Sequence, residues 1–170
     1  MENLKLIETY KDFLRNYSME QLMHKPEQRV WSIGQMYDHL IVTAQEYLDS
    51  VEECASAGKE QEGTKTEFGE QIFSTGGFPP IKITIPEELS PPPANTKSKE
   101  HLMLELDQLI NRLDKWERKA DEINPVYKTE HGGFGWLNAK EWLALVEMHF
   151  RHHLRQKKDL DEKLGLKADH

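Results

Sequence analysis

The chain has 170 residues, of which 37% are hydrophobic and 31% charged, and its formal net charge is −8. This length suits one globular domain with a buried core, so residues 1–170 are predicted to form a single domain. Lys and Arg are interleaved with Asp and Glu, and this pattern lacks the basic clusters that nucleic-acid binding requires. The chain also lacks a charged-then-apolar leader and an apolar run of about 18 residues, which argues against secretion and membrane insertion.

The single cysteine, Cys54, excludes an internal disulfide and suits a reducing compartment, so a cytoplasmic location is predicted. Cys54 follows Glu52 and Glu53, and acidic neighbours raise the pKa of a thiol. We therefore interpret Cys54 as a small helix residue rather than a nucleophile.

The N-terminal part of the chain predicts two amphipathic helices. Apolar residues recur at helical spacing over 3–17, and residues 18–23 add a short helical turn that Pro26 ends. Ser32 and Gln35 form a capping box, which predicts that a second helix begins there and runs to about residue 57, before Gly58. The inward stripe of this second helix comprises Met36, His39, Leu40, Thr43, Tyr47 and Val51.

A long crossover, about residues 59–97, separates this helix from the next. Its composition is polar, then rich in Gly and Pro, and residues 81–85 alternate like an extended segment packed on the bundle. A connection of this length is either a functional cover or a partly disordered loop. It allows the second and third helices to run parallel, which a short turn does not.

Two further helices complete the pattern. Ser98 is a plausible cap for a third helix, which runs to about Lys119, and residues 121–130 form a connector. Residues 131–137 then read as a glycine-rich turn, and Asn138 with Glu141 caps a last helix that ends before Gly165. The predicted fold is therefore all-α, a four-helix bundle with a long crossover between the second and third helices.

The last helix carries the residues with the clearest chemistry. Trp142, Val146, His149 and His153 share one stripe, and two histidines four residues apart can point at one metal ion. The alternative is that they are ordinary, partly buried histidines bonded to carbonyls or carboxylates. His152 lies about 100° around the helix and is expected to face elsewhere.

Three segments together resemble the DinB-like (DinB/YfiT-like) superfamily. They are Trp31-Ser32-Ile33-Gly34-Gln35 with Asp38-His39-Leu40, the stretch from His131 to Trp142, and the stretch from His149 to Gln156. The resemblance implies a four-helix bundle, often dimeric, that holds nickel or zinc on three histidines. Carried over to this sequence, these ligands are His39, His149 and His153. It also implies kinship with thiol-dependent transferases and isomerases that use bacillithiol, mycothiol or glutathione.

Three imidazole ligands leave a coordination position open, which is typical of catalytic rather than structural metal sites. Our leading hypothesis is a metal-dependent enzyme acting on a small-molecule substrate, with a low-molecular-weight thiol as cosubstrate. Metal-dependent hydrolysis and a non-catalytic metal-binding homodimer are the alternatives. A DNA-damage role, which the family name implies, finds no support in so acidic a sequence. Asp38, Glu147 and His152 are candidate outer partners of the ligands or acid–base groups.

Overall fold

The computed structural model describes residues 2–79 and 92–166, and the molecule is about 66% helical. Four long helices form the bundle, and two shorter helices and a small β-hairpin lie around it. In chain order the elements are α1 (Glu2–Arg15), α2 (Met19–Met23), α3 (Ile33–Ser56), α4 (Glu67–Thr75), α5 (Lys99–Lys119), β1 (Lys128–His131), β2 (Gly135–Asn138) and α6 (Ala139–Lys163). Among the described residues, no helix is both long enough and apolar enough to cross a membrane.

Helices α3 and α5 lie side by side and run in the same direction. Asp38 near the start of α3 accepts a hydrogen bond from Lys97 just before α5, at 2.5 Å. Further along both helices, Arg112 donates to Gln45 at 2.6 Å and to Asp49 at 2.7 Å. The long crossover therefore joins two parallel helices, as the sequence predicts.

Helix α6 packs antiparallel to α3, and this arrangement creates the site described below. His39 near the start of α3 meets His149 well along α6, whereas Cys54 near the end of α3 donates to Leu137 O just before α6, at 3.7 Å. The N-terminal part of α3 is thereby held beside the middle of α6.

Buried tyrosines tie three of the bundle helices together next to this region. Tyr37 Oη donates to Tyr10 O at 2.7 Å, and Tyr10 Oη donates to Phe150 O at 2.6 Å. The Tyr10 ring meets the rings of Tyr37 and Phe150 edge-on, with centroids 5.7 and 5.1 Å apart. Each hydroxyl is paired, so the aromatic rings add apolar burial without leaving unpaired polar atoms.

The sequence signals at the helix ends are confirmed. Ser32 with Gln35 and Asn138 with Glu141 each form both hydrogen bonds of a capping box. Gly58 and Gly165 adopt positive φ values of 61° and 76° just beyond α3 and α6. The short turn after α1 is helix α2, which has a capping box of its own at Ser18.

The crossover contains a helix that the sequence reading did not predict. Helix α4 begins after the cap Thr66, whose side chain accepts from Gly69 N, and ends at Gly76 with φ 80°. Its buried residues are Gly69 and Ile72, so tertiary packing rather than a broad apolar stripe stabilises it. The predicted extended segment at 81–85 lies outside the described residues.

The predicted connector and glycine-rich turn form a β-hairpin instead. Strands β1 and β2 pair antiparallel, and Gly135 has a φ of 86°. The crossover adds to its edge, because Trp136 N donates to Thr64 O at 3.2 Å and Thr66 N donates to Phe134 O at 2.9 Å. These pairings join residues about 70 positions apart in the chain, so local periodicity could not show them.

Candidate metal centre

Three histidines from α3 and α6 converge on one point between the helices. His149 Nε2 lies 3.0 Å from His39 Nε2 and 3.1 Å from His153 Nε2. One ring nitrogen of each histidine lies within 4.8 Å of the others, and this is a grouping that can hold a metal ion. The structure thus brings together the three residues selected from the sequence.

Packing of the two helices dictates this convergence. His149 and His153 lie one helical turn apart on α6 and therefore face the same direction. Their neighbours Val146 and Phe150 are fully buried, which keeps this side of α6 against α3. His149 is only 8% exposed, whereas His39 and His153 are half-buried. The cluster therefore lies at the edge of the core.

Gln156 sets the protonation of one candidate ligand. Its side-chain Oε1 lies 2.7 Å from His153 Nδ1, and an amide oxygen can only accept a hydrogen bond. His153 Nδ1 therefore carries the proton, which leaves a lone pair on its Nε2 directed at the cluster. A partner of this kind on the outer nitrogen is characteristic of metal-binding histidines.

The cluster fits a divalent cation better than it fits hydrogen bonding alone. His153 Nε2 presents a lone pair to His149 Nε2. If His149 Nε2 carries a proton, that proton is shared between His39 Nε2 and His153 Nε2. If it carries none, the lone pairs of His149 and His153 face each other. A cation accepts a lone pair from all three nitrogens at once. Tetrahedral zinc with nitrogens at about 2.0–2.1 Å needs them about 3.3–3.4 Å apart. The separations of His149 Nε2 from the other two nitrogens, 3.0 and 3.1 Å, are slightly shorter than this spacing, and all three nitrogens lie within 4.8 Å of one another.

Electrostatics keep the cluster in the form that binds metals. Burial lowers the pKa of His39, and burial together with the neighbouring histidines lowers the pKa of His149 well below the ordinary histidine value. Burial also lowers the pKa of His153 to about 4, against an opposing effect of the Gln156 hydrogen bond. All three imidazoles are therefore neutral at pH 7, and neutral imidazole is the ligand form.

The three candidate outer partners lie elsewhere in the site. Asp38 accepts hydrogen bonds from Lys97 and from the backbone N–H of Ala94, and it thereby ties α3 to the end of the crossover. Glu147 pairs with Arg151 at 3.0 Å. The ring of His152 packs edge-on to that of Phe78, and His152 is not part of the three-histidine group. Asp38 thus acts on helix packing, and its charge opposes the lowering of the pKa of His39 by burial, whereas Glu147 pairs with Arg151. Within residues 2–79 and 92–166, neither carboxylate has a hydrogen bond to the cluster.

Aromatic rings surround the three histidines. The ring centroid of Trp31 lies 5.1 Å from that of His39, and the rings of Tyr47 and Phe78 lie 6.1 and 6.2 Å from that of His149. Phe78 comes from the crossover just after α4, so this segment contributes directly to the site. An apolar surround lowers the local dielectric and strengthens any charge interaction at the cluster.

A cleft of about 220 Å³ opens beside the cluster. Phe78 forms part of its wall and separates it from His149. The full lining comprises Gly77, Phe78, Met148, Arg151, His152 and Arg155. A concave surface with basic side chains at its rim therefore lies next to the site, on the other side of Phe78.

The single cysteine contributes nothing to this chemistry. Cys54 is fully buried and contacts Leu137 and Thr129 near the other end of α3. Burial, more than the acidic neighbours, raises the pKa of its thiol. The prediction that Cys54 is not an activated nucleophile agrees with this position.

The fold and the cluster define an all-α bundle protein with a three-histidine group between its second and last long helices. A model of the DinB superfamily matches residues 5–156, and the chain belongs to this superfamily. Proteins of this superfamily are associated with metals, and the cluster seen here agrees with that association. No curated protein and no solved structure shows significant similarity to the chain.

Sequence reasoning missed two residues of the site. Gln156 lies three positions after His153, on the same side of the helix, so the spacing alone could have identified it as a partner. Phe78 gave no comparable signal, because its place depends on the unpredicted helix α4 and on the docking of the crossover.

Proposed function

We propose that this protein is a metal-dependent enzyme in which His39, His149 and His153 hold nickel or zinc and a low-molecular-weight thiol is the cosubstrate. The observation that supports it is the convergence of three Nε2 atoms without a fourth ligand. Among residues 2–79 and 92–166, the group of possible ligands contains these histidines and no carboxylate or thiolate. A site with three protein ligands leaves room for a water or a substrate atom.

Held by His39, His149 and His153, a divalent cation would supply Lewis-acid chemistry, since it would lower the pKa of a water or thiol bound to it towards neutral pH. The chain's own residues orient the ligands and form the surroundings of the cluster. Gln156 accepts a hydrogen bond from His153, and the rings of Trp31, Tyr47 and Phe78 surround the cluster with apolar surface. Since the only cysteine is buried far from the cluster, a thiol nucleophile has to arrive with a cosubstrate.

Metal content after expression in unsupplemented medium tests the ligand assignment. His39→Ala, His149→Ala and His153→Ala should each lose most of the metal, because an open site has no spare ligand. His152→Ala and the exposed His101→Ala serve as matched controls and should retain it. Retention of metal in His149→Ala, or equal loss in His101→Ala, would refute the assignment.

A second experiment tests the reaction. The cobalt-substituted protein should develop a thiolate-to-metal charge-transfer band when a low-molecular-weight thiol is added. The same protein should consume thiol with a panel of electrophiles faster than His149→Ala does. If neither signal appears but metal binds, hydrolysis or a non-catalytic role replaces the thiol hypothesis. Hydrolysis of ester or amide substrates by the metal-loaded protein would then favour the hydrolase, and its absence the non-catalytic role.

A further inference from the structure

A group of aromatic rings adjoins the histidine cluster and comes from four separate parts of the chain. The ring contacts form a closed circuit. Successive centroids lie 6.1 Å apart from His149 to Tyr47, then 6.2 Å to His131, 4.1 Å to Phe134, 5.7 Å to Phe78 and 6.2 Å back to His149. We call these rings, together with that of Trp142, the aromatic patch. His149 belongs both to this patch and to the cluster.

The aromatic patch has a buried part and a partly exposed part. The Trp142 ring is only 4% exposed and contacts the rings of Tyr47 and His131, with centroids 5.6 and 5.4 Å away. Tyr47, His131 and Phe78 are half-buried, so each of them keeps some surface in contact with solvent. Partly exposed rings beside a buried indole offer a surface on which a flat apolar group can stack.

His131 supplies the aromatic patch with a hydrogen-bond donor of fixed position. Its Nδ1 accepts from the backbone N–H groups of Gly133 at 2.9 Å and Phe134 at 3.1 Å. An accepting ring nitrogen carries no proton, and burial lowers the pKa of His131, so the neutral ring carries its proton on Nε2. Stacking on Phe134, with an angle of 10° between the rings, fixes the orientation of the imidazole. Among residues 2–79 and 92–166, no acceptor for Nε2 lies within hydrogen-bond distance.

The rest of the aromatic patch offers further donors but no charged group. Burial raises the pKa of Tyr47 to about 12, so its hydroxyl stays protonated at pH 7. The indole N–H of Trp142 is buried without an acceptor in the part of the chain that the structure describes. The cation–π contacts of the described residues involve other rings. A carboxylate bound here would therefore lack a partner cation from the patch, whereas an uncharged carbonyl oxygen needs only a donor.

From these observations we infer that the aromatic patch binds an aryl carbonyl group, the group present in aryl ketones, esters and amides. The Nε2–H group of His131 donates to the carbonyl oxygen, and the aryl ring stacks on the aromatic side chains. A donor that is already fixed loses little entropy on binding, and it favours a carbonyl over a group of the same shape without an acceptor. Because His149 belongs to both the patch and the cluster, the bound group is adjacent to the candidate metal centre. Its role as part of a substrate rests on the proposed function, but its binding to the protein does not.

Binding of two molecules of the same shape to metal-free, full-length protein tests the inference. Acetophenone has the carbonyl oxygen, and α-methylstyrene has a methylene group in its place. Both are titrated while amide and indole N–H signals are followed by NMR, and the signals of Trp142 and of residues 131–134 should shift. His131→Asn keeps an oxygen that can accept from Gly133 N and Phe134 N, but it removes the Nε2–H group. It should raise the Kd of acetophenone relative to that of α-methylstyrene about three- to tenfold, the effect of one hydrogen bond.

The control His101→Asn makes the same substitution at an exposed position on α5 and should leave the ratio of the two Kd values unchanged. Melting temperatures show whether each variant is folded. An equal ratio for His131→Asn and His101→Asn would overturn the inference. Absence of acetophenone binding, or tighter binding of benzoate than of acetophenone, would overturn it as well.

A second measurement needs no variant. Nitrogen chemical shifts of the His131 imidazole in the parent protein should identify the tautomer with the proton on Nε2, and a proton on Nδ1 would contradict the inference. Metal content and the thiol assays test the proposed function separately. A negative result with acetophenone therefore removes the aryl carbonyl site and leaves the metal-dependent enzyme in place.

Discussion

The hydrogen bond from His153 to Gln156 gives the sharpest test of the metal centre. Gln156→Met keeps the length of the side chain and the helix propensity but removes the oxygen that accepts from His153 Nδ1 at 2.7 Å. The imidazole then loses the partner that fixes its tautomer and its orientation. Removal of such a partner lowers metal affinity about 10- to 100-fold, which corresponds to about 1.4–2.7 kcal/mol.

The effect on protonation is small and does not obscure this result. The hydrogen bond raises the pKa of His153 against the larger effect of burial, so Gln156→Met lowers that pKa further. With a pKa of about 4 in the parent protein, His153 is neutral at pH 7 in both forms. Protons therefore do not compete with zinc for His153 at pH 7. The loss of zinc affinity then measures the changed orientation and basicity of the His153 imidazole.

The assay is competition with a chromogenic chelator for zinc at pH 7. Gln156→Glu restores an acceptor and should bind zinc at least as tightly as the parent protein. Gln108→Met, at an exposed position on α5, is the control for the substitution itself. Zinc binding by Gln156→Met as tight as that of the control, or weaker binding by Gln156→Glu than by Gln156→Met, would refute the role of Gln156 in orienting His153.

Three further predictions follow from the structure. Burial depresses the pKa of His39, His149 and His153, so in the metal-free protein their contribution to stability is fully present above about pH 6.5 and is lost as pH falls towards about 4. The midpoint of urea denaturation should fall as the pH is lowered over this range. A midpoint that does not change with pH would contradict the burial of the three histidines. Lys157 and Asp161 form a buried pair at 2.7 Å, so Lys157→Met should cost about 3–5 kcal/mol by leaving a buried carboxylate without its partner cation. The double variant with Asp161→Leu should recover much of this loss, and urea denaturation checks both. Gly135→Ala places a Cβ 2.6 Å from Thr66 N at a φ of 86°, so faster hydrogen exchange at Thr66 and Trp136 is expected, and unchanged exchange speaks against this packing.

Local signals allowed much of the bundle to be predicted. A capping box such as Ser32 with Gln35 needs residues only three apart, and it marked the start of α3 correctly. The length of the crossover correctly indicated parallel helices α3 and α5. His39 and His149 were identified because each lies on the inward stripe of its own helix, and antiparallel packing of those helices then brought them together.

The features that escaped prediction depend on contacts between distant segments. Helix α4 buries only Gly69 and Ile72, which is too small an apolar pattern to stand out in a polar stretch. The hairpin β1–β2 pairs with residues 64–66 of the crossover, and this pairing has no counterpart in local periodicity. The cytoplasmic location, the homodimer and the identity of the metal stay predictions.

The sequence separation of the three histidines bears on the order in which the site assembles. His149 and His153 are four residues apart and can meet in any stretch of helix, whereas His39 is 110 positions away from His149. Before α3 docks on α6, helix α6 offers His149 and His153 to an ion, and His39 supplies the third nitrogen when the two helices pack. Bringing His39 and His149 together closes a long loop of chain and costs conformational entropy, and the packing of the helices offsets this cost. Metal uptake would thus follow folding of the bundle, and an ion bound to all three histidines would stabilise the packing of α3 on α6 by a free energy that grows with the logarithm of its free concentration relative to its Kd.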